Sequence, residues 1–154
     1  MASKFLLTMK LTKQGDVIGS SKGREGDLDF STGMACHGFQ YGIGGSASGN
    51  RQHKPITITR EIDSASPVLW QALSTSEVFT SAELSFDRIG PDGKPSGVRT
   101  IGLVNGNIIK IRGANAPSGA PSGKRFEAVT LIFERLLVDQ IPHGRVPFMN
   151  GWQV

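Results

Sequence analysis

At 154 residues the chain falls in the ordinary single-domain range, where folding buries roughly 70% of the extended chain's surface. Its 17 basic and 13 acidic residues leave a net charge of only +4, too mild an excess to demand nucleic acid or an anionic surface as a partner. The single cysteine, Cys36, excludes an internal disulfide, and 20 glycines with 8 prolines favour short strands and many turns over long helices.

Phe5, Leu7, Met9 and Leu11 alternate with Lys4, Thr8 and Lys10, the period-2 pattern of a half-buried first strand. This N-terminal stretch lacks the apolar core and small-residue cleavage site of a secretory signal, and no segment reaches the roughly 20 apolar residues of a membrane span. The expectation is a protein that folds in the cytoplasm, makes no membrane contact and, if exported, leaves by another route. Residues 12–29 are polar and rich in Gly, Ser and charge, which predicts a long connection with little packing of its own.

A second strand is predicted within 30–43, with Phe39 and Tyr41 on one face and Gln40 on the other. Residues 44–54 hold almost nothing apolar and predict an extended, mobile Gly-rich loop that orders only against a neighbouring molecule. Ile56, Ile58 and Ile62, alternating with Thr57, Thr59 and Glu61, form a third strand. One short helix follows at about 65–73: Ser64 or Ser66 can cap it, Pro67 is tolerated in its first turn, and Leu69, Ala72 and Leu73 recur at helical spacing.

Val78, Ala82, Leu84 and Phe86 restart the alternation, and the turn Gly90–Pro95 leads to a hairpin partner from Val98. Asn105-Gly106 then predicts a type I′ hairpin or, less commonly, a bulge in one long strand. A second flexible loop is expected over 113–124. The longest strand candidate, 126–138, has a core face of Val129, Leu131, Phe133 and Leu137, yet Phe126, Ala128, Ile132, Leu136 and Val138 opposite are apolar too. Either the helix or a second subunit must cover that face. On the second alternative Ile132 and Leu136 are subunit contacts, and Leu136→Asp should weaken assembly while sparing the barrel.

Catalytic motifs are wanting. Gly119-Ala120-Pro121-Ser122-Gly123-Lys124-Arg125 has the wrong spacing for a phosphate loop and no Ser or Thr after Lys. Gly45-Ser46-Ala47-Ser48-Gly49 puts Ala where a nucleophile elbow needs Ser. His37, His53 and His143 share no metal-ligand spacing, so no metal and no cofactor is expected.

The run Ile58-Thr59-Arg60-Glu61-Ile62-Asp63-Ser64-Ala65-Ser66-Pro67-Val68-Leu69-Trp70-Gln71-Ala72-Leu73 resembles the signature of the haemolysin-coregulated protein (Hcp) family, the inner-tube proteins of type VI secretion. There a strand ends in an Asp and runs through Ala-Ser-Pro into a helix. Asp63, Ser66, Pro67 and Leu69 are the residues of that structural helix motif. Phe39-Gln40-Tyr41-Gly42, the strand Glu127–Phe133 and Gly151-Trp152 resemble further family strands in the same order. The segment 10–29 is longer and more basic than the family pattern, and the C-terminus after Trp152 is short.

The resemblance implies a single mostly-β domain over 1–154: a two-sheet β-barrel with one short α-helix and extended Gly-rich loops. It also implies a non-enzymatic subunit whose six copies form a ring, with rings stacked into a tube that a sheath and spike export and that carries effector proteins in its lumen. On this reading Gln40 faces the lumen, and Gly44, Gly45, Arg51 and His53 belong to a ring-stacking loop. A rival class is a nucleic-acid-binding barrel of the OB type, suggested by Arg51, His53, Lys54, Lys110, Arg112, Lys124 and Arg125 but lacking an aromatic stacking face. A small hydrolase would need a nucleophile that nothing nominates.

Overall fold

The computed structural model describes residues 4–41, 43–45, 51–53, 55–89, 91–116, 123–140 and 144–150. In chain order these form β1 (Phe5–Leu11), β2 (Gly15–Asp16), β3 (Arg24–Glu25), β4 (Leu28–Asp29), β5 (Met34–Gln40), β6 (Ile43–Gly45) and β7 (Arg51–His53). Then come β8 (Ile56–Glu61), α1 (Ser66–Ser74), β9 (Val78–Ile89), β10 (Pro95–Ala114), β11 (Phe126–Gln140) and β12 (Gly144–Asn150). The fold is the expected one, mostly β with one helix. All pairings are antiparallel, and the sheet order β10-β9-β1-β5-β8-β11 returns to β10, closing a six-stranded barrel with no open edge between its members.

Alternation fills the barrel. Leu7, Met9, Met34, Ile56, Ile58, Leu84, Leu103, Val129, Leu131 and Phe133 point inward and are buried. At the end where β1 starts and β5 and β9 finish, Phe5, Phe39 and Phe86 form an aromatic trio with centroids 4.8–5.7 Å apart. Phe39 reaches this inner side because a register shift between Cys36 and Gly38 reverses the phase of β5. At the opposite end α1 acts as a plug, with Ala65, Leu69 and Ala72 fully buried and Leu73 packed beside them. Cys36 lies in the same core, where burial pushes its thiol up to about 12 and keeps it neutral.

Four expectations are corrected. Residues 12–29 are not a bare connection: Val17 joins the main core, and Leu28 with Phe30 covers the outer face of β1 and β5 over Leu6 and Ala35. Asp27 seats this segment on the β9–β10 hairpin, accepting from the Gly97 N–H at 3.0 Å while its own N–H donates to Asp87 at 3.1 Å. Asn105-Gly106 is not a hairpin turn. Asn105 adopts φ 51° inside a continuous β10, and a Cβ on Gly106 would strike the Ile132 carbonyl and the Phe79 ring, so close strand packing requires the glycine.

The ends of the supposed 44–54 loop pair with each other, Ile43 with His53 and Gly45 with Arg51, as a two-stranded ribbon; residues 46–50 and 54 lie outside the described residues. Finally, Leu136 is 2% exposed and belongs to the subunit's own core. The face of β11 changes phase between Phe133 and Leu136, where Glu134 and Arg135 are both exposed opposite the positive-φ Asn105 of β10; this turns Leu136 inward and leaves Leu137 half-buried. Leu136 is therefore no subunit contact, and Leu136→Asp would break the barrel. Of the second loop, residues 117–122 lie outside the described residues.

The helix is anchored by charge. Arg60, fully buried on the inner face of β8, directs Nη2 to Asp63 Oδ1 at 2.5 Å and Nη1 to Glu127 Oε2 at 2.6 Å. Ser66 Oγ donates to the same Glu127 oxygen at 2.8 Å and accepts the Asp63 N–H at 3.1 Å. The cap is thus not the serine that the sequence suggested: Asp63 Oδ1 accepts the Ala65 N–H at 2.8 Å, and Ser66 is drawn into the ionic cluster. Burial opposes ionisation of Asp63, but the Ser20 N–H, the Arg60 guanidinium and the Ala65 N–H outweigh it and hold the carboxyl below its ordinary value.

Two outcomes are expected. Leu69→Ala should cost about 2–5 kcal/mol in denaturant unfolding, because the barrel end cannot collapse onto the cavity. Asp63, with a folded pKa below its unfolded one, contributes stability that is present at neutral pH and lost as pH falls through the carboxylate range toward the folded value. Asp63→Asn should therefore lower the urea midpoint at pH 7 and flatten its decline below about pH 5.

Candidate assembly surfaces

Among the described residues, the carboxylates nearest the core are engaged internally. Asp63 and Glu127 spend their oxygens on Arg60, Ser66, Trp70 Nε1 and backbone donors. Glu77 closes the turn after β1, accepting the Lys13 and Gln14 N–H groups at 2.7 and 2.9 Å. Burial works against its charge, but these donors outweigh it and hold the carboxyl low. Among the described residues no group of three or more His, Cys, Asp or Glu is arranged to hold a metal, and no helix is long and apolar enough to cross a membrane. His37 stacks edge-on to Phe126 at 5.3 Å, and burial, helped by Lys4, lowers its pKa.

What remains is surface. On the outward face of β5, β8, β11 and β10, cross-strand register makes two rows: Gln40–Thr57–Thr130–Lys110 and Gly38–Thr59–Ala128–Arg112. The Thr57 and Thr130 hydroxyls meet at 3.2 Å. Three strands thus present a neutral wall of small and hydroxyl side chains, with Gln40 exposed at one margin and the exposed Lys110 and Arg112 at the other. Of the remaining basic residues that suggested nucleic acid, Lys124 pairs with Glu61 at 3.5 Å and Arg125 is exposed; the side chains of Arg51, His53 and Lys54 lie outside the described residues, as do residues 46–50.

The second surface is apolar. Trp70, 45% exposed, stands at a cleft of about 390 Å³ with Ile62, Leu73, Ile111 and Arg112, its indole oriented by the 2.9 Å bond from Nε1 to Glu127. A neighbouring cleft of about 400 Å³ holds Leu73, Asn107, Ile109 and the half-buried Ile132. Ile132 thus keeps the outward position expected of it, next along β11 from Thr130, while Phe126 and Ala128 on the same face are covered by the chain itself. Sequence reading missed Trp70 and Ile109 as surface groups. Trp70 lies one position off the helix's buried stripe, and Ile109 is turned outward by the register shift between Ile108 and Lys110.

Comparison with known proteins gives a consistent result. The family model described as "Type VI secretion system effector, Hcp" matches residues 11–139. A "Major exported protein" of Pseudomonas aeruginosa is 29% identical over 128 residues, covering 73% of this chain and 72% of that one. The fold superposes on secreted protein Hcp3 of P. aeruginosa with a TM-score of 0.76 at 21% identity, covering 98% of this chain and 100% of that one. An Hcp1 protein of E. coli superposes with a TM-score of 0.78 at 20% identity, covering 99% and 100%. With a family model spanning both the barrel and its helical plug, the chain belongs to the Hcp family of the type VI secretion system.

Proposed function

We propose that this protein is a non-enzymatic tube subunit: six copies close into a ring, rings stack, and the tube is exported with effector proteins in its lumen, in company with sheath and spike components. The observation that carries this reading is the outer surface. The core is saturated, yet Trp70 and Ile109, each 45% exposed, and Ile62, 37% exposed, frame apolar clefts beside a neutral polar wall. Large apolar groups left outside a complete core are characteristic of contact between subunits. A head-to-tail contact of one such surface with a different surface of the next copy closes a ring when the rotation fits.

The wall of Gln40, Thr57, Thr59 and Thr130 suits a lumen, since neutral hydroxyl and amide groups stay hydrated and hold a passenger weakly enough to release it. The β6–β7 ribbon, carrying Gly44, Gly45, Arg51 and His53, is assigned to contact between rings. On this reading the protein is exported as part of the same assembly.

Negative-stain imaging and light scattering of the purified chain should show rings with a central hole and a hexamer mass; a monomer at micromolar concentration would overturn the reading. Ile109→Asp should raise the concentration for half-assembly by about tenfold or more while leaving the monomer's thermal midpoint nearly unchanged. Gln40→Trp should alter passenger retention in assembled rings without affecting their formation.

A further inference from the structure

The two carboxylates that share Arg60 open onto different clefts. Glu127 lines the cleft beside Trp70, whereas Asp63 lines a separate polar cleft of about 290 Å³ with Ser20, Ser21 and His37. Arg60, with no solvent contact, is the bridge between them. A continuous path of donors and acceptors results: Trp70 Nε1 to Glu127 at 2.9 Å, Glu127 to Arg60 at 2.6 Å, Arg60 to Asp63, and Asp63 Oδ2 to the Ser20 N–H at 2.8 Å.

Both ends of the path are on the surface and held lightly. Trp70 is 45% exposed. Ser20 is exposed and rests on Asp63 and on a 2.9 Å hydroxyl contact with Ser64. Gly19 passes so near the Asp63 carboxylate that a Cβ there would collide with it, so a substitution at Gly19 is a means of lifting the segment off Asp63. Stability alone does not account for the cluster. Buried ion pairs are commonly no more stabilising than well-packed apolar groups, and Arg60 Nε is left buried without a hydrogen-bond partner, a cost an apolar core would avoid.

We propose that the Arg60 cluster is a conformational latch: the state of the Trp70 cleft sets how firmly residues 19–21 seat on Asp63, and the reverse. One guanidinium serves two carboxylates. When Trp70 withdraws its N–H, Glu127 draws more of Arg60, and the Asp63 carboxylate, less firmly positioned by the guanidinium, holds Ser20 in place less well. In a ring whose subunits met at the Trp70 cleft, a neighbour's contact would reach the Ser20–Ser21 cleft; that consequence rests on the proposed assembly, the coupling does not.

The test is hydrogen exchange by NMR on the chain, with Ile109→Asp present in every sample to disfavour assembly. Trp70→Phe keeps the ring and removes the donor; it should speed exchange at the Ser20 and Ala65 amides about fivefold or more, leaving the Lys13 and Gln14 amides, held by Glu77 off the path, unchanged. Gly19→Ala, which unseats the segment by collision, should in return speed exchange of the Trp70 indole N–H, as reciprocity requires. Unchanged protection at Ser20 in Trp70→Phe overturns the latch. So does an equal acceleration at Lys13, which would report a general loss of stability.

Discussion

Arg60 places a full positive charge where the barrel has no water, on the inner face of β8 directly beneath the helix. A buried cation left unpaired would be intolerable, so partners must come from wherever the chain can supply them. They come from three elements: Asp63 from the end of its own strand, Glu127 from the inner face of β11 and Ser66 from the first turn of α1. Meeting that requirement fixes where the strand stops, where the helix starts and how the helix sits over the barrel end. The ionic cluster and the apolar plug of Ala65, Leu69 and Ala72 thus describe one closure, polar on one side and dry on the other.

One end of the barrel is closed by the plug and the other carries the trio of Phe5, Phe39 and Phe86, with buried apolar side chains between them. Outside, the barrel's register sorts the described surface into distinct kinds. Residues 17–30 cover the outer face of β1 and β5 with Leu28 and Phe30. Gln40 of β5, Thr57 and Thr59 of β8 and Thr130 of β11 leave a partly open outer patch of hydroxyls and an amide. Around the helix and the bulge at Ile109 the surface is apolar. The proposed assembly would use such a division, because faces that meet other subunits must differ from faces that must stay wet.

Much of this was legible in the amino-acid sequence. Period-2 alternation located β1, β8, β9 and β11, and Pro67 followed by Leu69, Ala72 and Leu73 located the only α-helix of the described residues. The strand-to-helix run from Ile58 to Leu73 carried the family resemblance, because local hydrophobic period and turn chemistry are written directly in residue order.

Tertiary structure decided whatever depended on which strands meet. Asn105-Gly106 has the local chemistry of a turn, yet pairing with β9 and β11 on both sides keeps β10 straight through it. Leu136 changed from a surface residue to a core residue because β11 changes phase between Phe133 and Leu136, opposite Asn105 of β10. Arg60 read as an ordinary strand residue, since nothing in residue order reveals that Glu127, 67 positions away, would be its partner. Residue order determines periodicity and so the elements; contacts between residues distant in the chain determine phase, burial and charge pairing, and these exist only once the barrel has closed.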